Sequence, residues 1–289
     1  MLLLVLARLA AAAPEDDARR MLDLVAAIRV EYLEAFEGGE ELEYPAEIAE
    51  AQMLLADLRN INDRVRWIPP EGIAAVQRHL DAPIGSFDAP DRIEALAAAV
   101  TARTGVVPEH LPPEQPSAAR GRELFADNCA GCHGALGRGD GPDAREAGLT
   151  PADFTDPTFM RVETPMDFFL MITVGRRRGG MPEWAQSLSV QQRWDLVAHL
   201  WTLAHPTFDA AAAEPVWTAH CAGCHPAGAS GGADLGRPGA LVHRRDRDLM
   251  ATFAASQHAA VARRLDTAQR TLALGWARHL SLGGGPAAR

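Results

Sequence analysis

Lysine is absent from this chain, and all 28 of its basic residues are arginine. That bias fits the base composition of a GC-rich genome, so no function is read from it. Long apolar runs are missing too. Every hydrophobic stretch past the first residues is broken by Arg, Asp or Glu within a few turns, so none approaches the ~20 residues that span a bilayer, and the mature chain is expected to be soluble. The opening run, Leu2 to Leu6 and on through Ala13, ends in small residues like the h-region and cleavage site of a secretory signal. It lacks a basic n-region, but Ala11-Ala12-Ala13 before Pro14 offers a cut, and residues 1–13 are read as a signal peptide. Cysteine is scarce as well, with four in 289 residues and none before position 129, so any cysteine chemistry lies in the C-terminal two thirds.

Those four cysteines fall in one pentapeptide that occurs twice, Cys-Ala-Gly-Cys-His, at Cys129 to His133 and at Cys221 to His225. In a C-x-x-C-H site the two thiols add across haem vinyl groups to give thioethers, and the histidine that follows reaches the iron. A structural zinc site would need both pairs to converge on one metal. A redox C-x-x-C pair does not explain a histidine at the same offset twice. Two covalent haem c groups are therefore expected, one on Cys129 and Cys132 with His133 as iron ligand, the other on Cys221 and Cys224 with His225. Each iron then needs one more ligand from elsewhere.

The formal charge of −10 is unevenly placed: 21 acidic residues against 9 arginines from Pro14 to Glu114, and 17 against 18 from Gln115 onward. An acidic chain suggests no nucleic-acid partner. The acidic third, residues 14–113, has Met21, Leu22, Val25, Ile28, Val30, Tyr32 and Leu33 at mostly helical spacing, closed by Gly38-Gly39. Pro45 opens a second helix with Ile48, Met53, Leu54, Leu58 and Ile61 on one stripe, and Ile68-Pro69-Pro70 ends it. Shorter helices are expected over 71–80 and 90–104, giving a small all-helical bundle or hairpin. Glu31 and Glu34 on the first helix and Glu47 and Glu50 on the second are each three apart, so each pair shares a face and forms a candidate iron site. No Glu-x-x-His partner accompanies them, and acids at helical spacing also form solvated faces.

Pro112, Pro113 and Pro116 mark a linker, after which Gly121 and Phe125 stand eight and four residues before Cys129. This segment resembles class I cytochrome c. In that fold a glycine lets the N-terminal helix cross a C-terminal helix closely and an aromatic packs at the crossing; Trp194, Leu196, Val197, Leu200 and Leu203 offer the other face. The resemblance implies that the loops at 137–142 and 151–157 wrap the haem, and it puts Met181, in Gly179-Gly180-Met181-Pro182, in the place of the axial methionine. Met160, Met166 and Met171 compete, although Met166 and Met171 flank Phe168 and Phe169 in an apolar helix and read as core filler. A positive patch at Arg176-Arg177-Arg178 suits the docking of an acidic redox partner protein. Because haem c is assembled outside the cytoplasmic membrane, as the resemblance to c-type cytochromes implies, the mature protein is expected in the periplasm.

The second copy can be laid on the first. Trp217 and Ala213 stand four and eight residues before Cys221, where Phe125 and Gly121 stand before Cys129. At the other end Leu188-Ser189 matches Leu265-Asp266, Gln192-Arg193 matches Gln269-Arg270, and Leu200 and Leu203 match Ala277 and Leu280. That register puts His258 under Met181, which makes the second iron bis-histidine. Met250 is the rival ligand, aligned inside a helix where it replaces a core aromatic; His243 and His279 are weaker, His279 following Arg278 at the end of the last helix, which reads as exposed. The expected fold is all-α, with the bundle at 14–113 followed by two class I cytochrome c domains at 114–206 and 207–289, the second short and with a disordered tail.

The segment from Leu22 to Ala35, with Glu40 and then Glu47 to Ala51, resembles the extracytoplasmic N-terminal region of bacterial Ftr-type iron permeases, some of which carry cytochrome c domains between this region and the permease. The chain has neither the membrane helices nor the membrane-embedded glutamates of that family, so it is not expected to be the permease itself. The resemblance implies electrons taken from Fe(II) oxidation coupled to an iron permease in the membrane. Two other functions fit the same residues: the cytochrome subunit of a periplasmic dehydrogenase, and a di-haem peroxidase with one displaceable ligand.

Overall fold

Proline opens one helix after another in this protein, set at or beside the first helical position, where its missing N–H costs nothing. The structure, a computed structural model, describes residues 14–36, 41–82, 85, 88–226, 234–255 and 258–283. The expected signal peptide, the Gly38-Gly39 stop and the C-terminal tail lie outside the described residues. All regular elements among the described residues are helices, as expected of an all-α chain, and one isolated bridge pairs Arg176 with Met181. The chain divides into two units, Met1–Pro108 and Glu109–Arg289.

The first unit holds α1 (Pro14–Phe36), α2 (Pro45–Val65), α3 (Pro70–Asp81) and α4 (Ala89–Thr104). Helix α1 packs on α2 and α4, and α3 packs on the same two. The helical stripes meet in one core: Met21, Leu22, Val25, Ile28 and Tyr32 from α1, Leu54, Leu55 and Leu58 from α2, Ile73 and Val76 from α3, and Ile93, Leu96 and Val100 from α4 are all buried. The expected stop of the second helix falls slightly earlier than Pro69. Arg66 takes a left-handed conformation at φ 55°, and its N–H bonds the Asn62 carbonyl. The Asn62 side chain then donates to the Ile68 carbonyl at 2.9 Å and accepts from its N–H at 2.8 Å, fixing the turn into α3.

The second unit holds α5 (Ala118–Asn128), α6 (Ala130–His133), α7 (Pro142–Ala147), α8 (Pro157–Val162), α9 (Pro165–Val174), α10 (Val190–Ala204), α11 (Ala210–His220), α12 (Asp246–Thr252), α13 (Ala259–Ala262) and α14 (Thr267–Ser281). Two helix pairs organise it, α5 against α10 and α11 against α14. The equivalence of the closing helices extends to their caps. Ser189 with Gln192 on α10, and Asp266 with Gln269 on α14, each form a capping box in which the cap side chain and the third helical residue exchange hydrogen bonds.

The two halves of this unit share a polar junction. Asp246 accepts from Arg278 Nε at 2.9 Å and Nη2 at 2.6 Å, from Trp201 Nε1 at 3.3 Å, and lies 3.4 Å from His205 Nε2. Arg278 also donates to the Leu241 and Arg244 carbonyls, and its guanidinium sits 5.3 Å from the Trp201 ring centre. The expectation that the last helix ends exposed at Arg278 and His279 is corrected here. Arg278 is 4% exposed, and the His279 ring lies 5.1 Å from Trp276 and 5.6 Å from Phe208. The proline-rich segment ahead of α5 bears on both halves as well. The His110 carbonyl accepts from Trp194 Nε1 at 2.9 Å, Glu114 N–H donates to Gln191, and the Gln115 amide donates to the Leu280 carbonyl.

Candidate functional site

The first pentapeptide sits where α5 ends. Cys129 caps α5, and the single turn of α6 follows, with Cys132 N–H and His133 N–H both donating to the Cys129 carbonyl. One helical turn thus puts two thiols and an imidazole on adjacent positions of one surface. The chain then folds back: Gly139 N–H bonds the His133 carbonyl at 2.9 Å and Gly141 N–H bonds the Cys132 carbonyl at 3.1 Å. Phe154, from the loop at 151–157, stacks on the His133 ring at 4.8 Å, and Phe125 lies 6.4 Å from His133 and 5.3 Å from His199.

The crossing of α5 over α10 is as close as backbones allow. A Cβ placed on Gly121 would stand 1.8 Å from the Asp195 carbonyl oxygen. The Asp195 carboxylate, nearly buried, holds the crossing by accepting from Ser117 N–H at 2.7 Å and from Arg120 Nε at 2.6 Å. Burial pushes the Cys129 thiol up to about 12, and the neighbouring Cys132 adds to the shift. It also lowers the pKa of His133, against a backbone hydrogen bond with Ala152 that raises it. A metal-ligating histidine ordinarily bonds a carbonyl or carboxylate through its other ring nitrogen, and the Ala152 contact fits that arrangement.

Met181 lies on a tight hairpin closed by two hydrogen bonds with Arg176, Arg176 N–H to Met181 O at 3.1 Å and Met181 N–H to Arg176 O at 2.9 Å. Arg177 and Arg178 are exposed at its tip. Of the competing methionines, Met160 and Met166 are in the core, and the Met171 sulfur lies 3.9 Å from an Arg176 Nη1 donor.

The second pentapeptide repeats the backbone pattern of the first. Cys221 caps α11, and Cys224 N–H and His225 N–H both donate to the Cys221 carbonyl at 3.0 Å. Ala213 and Trp217 on α11 are buried with Trp276 and Ala277 on α14 and with Leu241 from the intervening loop. Trp217 lies 5.8 Å from His225, in the role that Phe125 plays beside His133. Burial raises the Cys221 thiol as it does that of Cys129.

The His225 and His258 ring centroids lie 6.2 Å apart with planes within 10° of parallel. His258 Nδ1 is buried with no hydrogen-bond partner. Met250 lies half-buried in α12, and His243 is exposed. Both pentapeptides therefore have residues that fit a covalent haem. Nothing in the sequence marked His258 except its register with Met181.

Three of the four glutamates converge in the first unit. Carboxylate oxygens of Glu31, Glu34 and Glu47 lie within 4.8 Å of one another, with Glu31 buried. Glu50 is also buried, at 2% exposure, but is not part of that group.

Comparison with known proteins places one segment firmly. Residues 118–204 match the family model described as Cytochrome c, which spans α5 to α10 with the first pentapeptide and Met181. Among solved structures, the chain is similar to a Kuenenia stuttgartiensis reducing HAO-like protein complex, at 27% identity with a TM-score of 0.31. That match covers 42% of this chain and 62% of the other, so the chain spans less than two thirds of that relative. No curated protein matches. The segment from Ala118 to Ala204 is thus a cytochrome c domain, and with it come covalent haem c, electron transfer and a redox partner.

Proposed function

We propose that this protein is a periplasmic di-haem c-type cytochrome that takes electrons from Fe(II) oxidation coupled to an iron permease. Cys129, Cys132 and His133 with Met181 hold the first haem; Cys221, Cys224 and His225 with His258 hold the second. When bound, each haem iron gains and loses one electron. The observation that carries the two-haem reading is the parallel pair of His225 and His258 beside a second attachment pentapeptide. Met181 on the first iron and His258 on the second would set the first potential above the second, a difference that would favour electron flow from the second haem to the first.

The ligand set is tested by replacing one residue. Wild-type protein is expected to carry two haems by mass and to give two waves in a spectroelectrochemical titration. His258→Ala should leave the upper wave in place while the second haem turns high-spin by EPR. Two coincident waves in the wild type, or a low-spin second haem in the variant, would count against it.

The iron reading rests on the convergence of Glu31, Glu34 and Glu47, and on the resemblance of that segment to the permease region. Anaerobic Fe(II) mixed with oxidised protein should reduce the haems, and Glu31→Gln/Glu34→Gln should slow this by about tenfold or more, a loss of at least about 1.4 kcal/mol. Equal rates in both proteins would remove the glutamates from the reaction. Reduction by an organic substrate with a partner dehydrogenase, and none by Fe(II), would transfer the protein to that other role.

A further inference from the structure

Ring contacts run without a gap from the first attachment site to the junction between the two halves. His133 stacks on Phe154 at 4.8 Å, Phe154 meets Phe168 edge-on at 6.0 Å, and Phe168 meets Trp201 edge-on at 5.5 Å. Trp201 then lies against the Arg278 guanidinium at 5.3 Å and donates to Asp246. Across the junction Arg278 donates to the carbonyl of Leu241, which is buried in one cluster with Trp217, and Trp217 lies 5.8 Å from His225. In the register that matches the closing helices, Arg278 occupies the place of Trp201, so equivalent positions of the two copies meet face to face.

The geometry points to Trp201 as the residue that couples the two haem sites electronically, with Asp246 and Arg278 as the positioning residues that hold its ring across the junction. The inference rests on the two-haem reading above. Packed π-systems and hydrogen bonds couple donor and acceptor better than gaps do. Trp201 is the largest side chain at the junction and is fixed on both sides, its face by Arg278 and its N–H by Asp246. The electron count is simple. One electron leaves a ferrous haem at one end and reduces a ferric haem at the other, and the bridge between them is unchanged.

The test compares Trp201→Leu, Trp201→Phe and Phe168→Leu with wild type after a pulse of a radiolytic reductant. Trp201→Leu is expected to slow equilibration between the haems by about an order of magnitude, as if the barrier rose by roughly 1.4 kcal/mol. Phe168→Leu, which leaves the junction hydrogen bonds in place, should slow it too, whereas Trp201→Phe, which keeps a ring, should stay near wild type. Haem content by mass, both reduction potentials and the EPR ligand signatures are measured on each variant and should not move. Denaturant unfolding followed in the Soret band should remain a single transition in Trp201→Phe and Phe168→Leu. An unchanged equilibration rate in Trp201→Leu and Phe168→Leu overturns the coupling role. Rates that fall only where unfolding splits into two transitions reduce Trp201 to a packing residue. A single haem by mass in the wild type refutes the two-haem reading instead.

Discussion

Gly121→Val is expected to lower the stability of the haem-binding unit by about 3 kcal/mol, at the upper end for overpacking, and its Tm by about 6–12 °C. The cause is steric and local. The first atom of any side chain at 121 would fall 1.8 Å from the Asp195 carbonyl oxygen and 3.0 Å from His199 Cβ, so α5 and α10 would have to move apart along the crossing. They are not free to slide instead. Asp195 ties the start of α5 to α10 through Ser117 and Arg120, and Phe125 one turn on is wedged among His133, His199 and Phe154. Separation would therefore open the face on which His133 rests. Thermal unfolding followed in the Soret band checks this, with Gly121→Ala as an intermediate case. A Tm within about 2 °C of wild type for Gly121→Val, less than 1 kcal/mol for a unit of this size, would show that the crossing is looser than it stands here.

Asp246→Ala should cost about 3–5 kcal/mol, because it leaves the Arg278 charge buried without its counter-ion. Burial alone would raise the Asp246 pKa, yet the hydrogen bond with His205 and the Arg278 guanidinium hold it down to about 2. Arg278 feels the opposite balance, its pKa lowered by burial against the pull of Asp246. A carboxylate held below its unfolded value of about 3.9 binds fewer protons in the folded protein than in the unfolded one, so its contribution to stability is complete above that value. The contribution drains away as pH falls from about 4 through about 2. Wild type should thus lose more stability than Asp246→Ala across that acid range. The double variant Asp246→Ala/Arg278→Met should regain much of the loss at neutral pH, since an apolar pair replaces a lone buried charge. Denaturant midpoints at pH 7 and pH 3 read both effects. Equal acid sensitivity in wild type and Asp246→Ala would mean that the pair is solvated.

Much of the candidate site was legible in the chain. The C-x-x-C-H motif at Cys129 to His133 falls in the segment that matches cytochrome c, and the second copy is proposed to hold haem in the same way, because thioether chemistry needs those residues at that spacing on one turn. The small residue eight before each first cysteine and the aromatic four before it are one helix face read at i and i+4. The match of Ser189 and Gln192 with Asp266 and Gln269 carried through to two real capping boxes, because a cap depends on side chains three apart and on little else. The bundle helices were legible for the same kind of reason, their apolar stripes and opening prolines being local signals.

Arg278 was the position most misread. A charged residue near a helix end ordinarily points to water, and only the arrival of Trp201, His205 and Asp246 from distant parts of the chain makes a buried place for it. Glu50 was paired by spacing with Glu47, yet it is buried outside the cluster that Glu31, Glu34 and Glu47 make. The prolines at 112–116 read as a linker, while the His110 carbonyl just before them and the Glu114 and Gln115 amides between them are engaged by α10 and α14. The sequence by itself determined the helices, the two C-x-x-C-H motifs and the repeat, all set by residues a few positions apart. Which charges are buried, which rings touch and how the two copies meet was decided by tertiary packing, because those contacts join residues tens of positions apart and no local pattern encodes them.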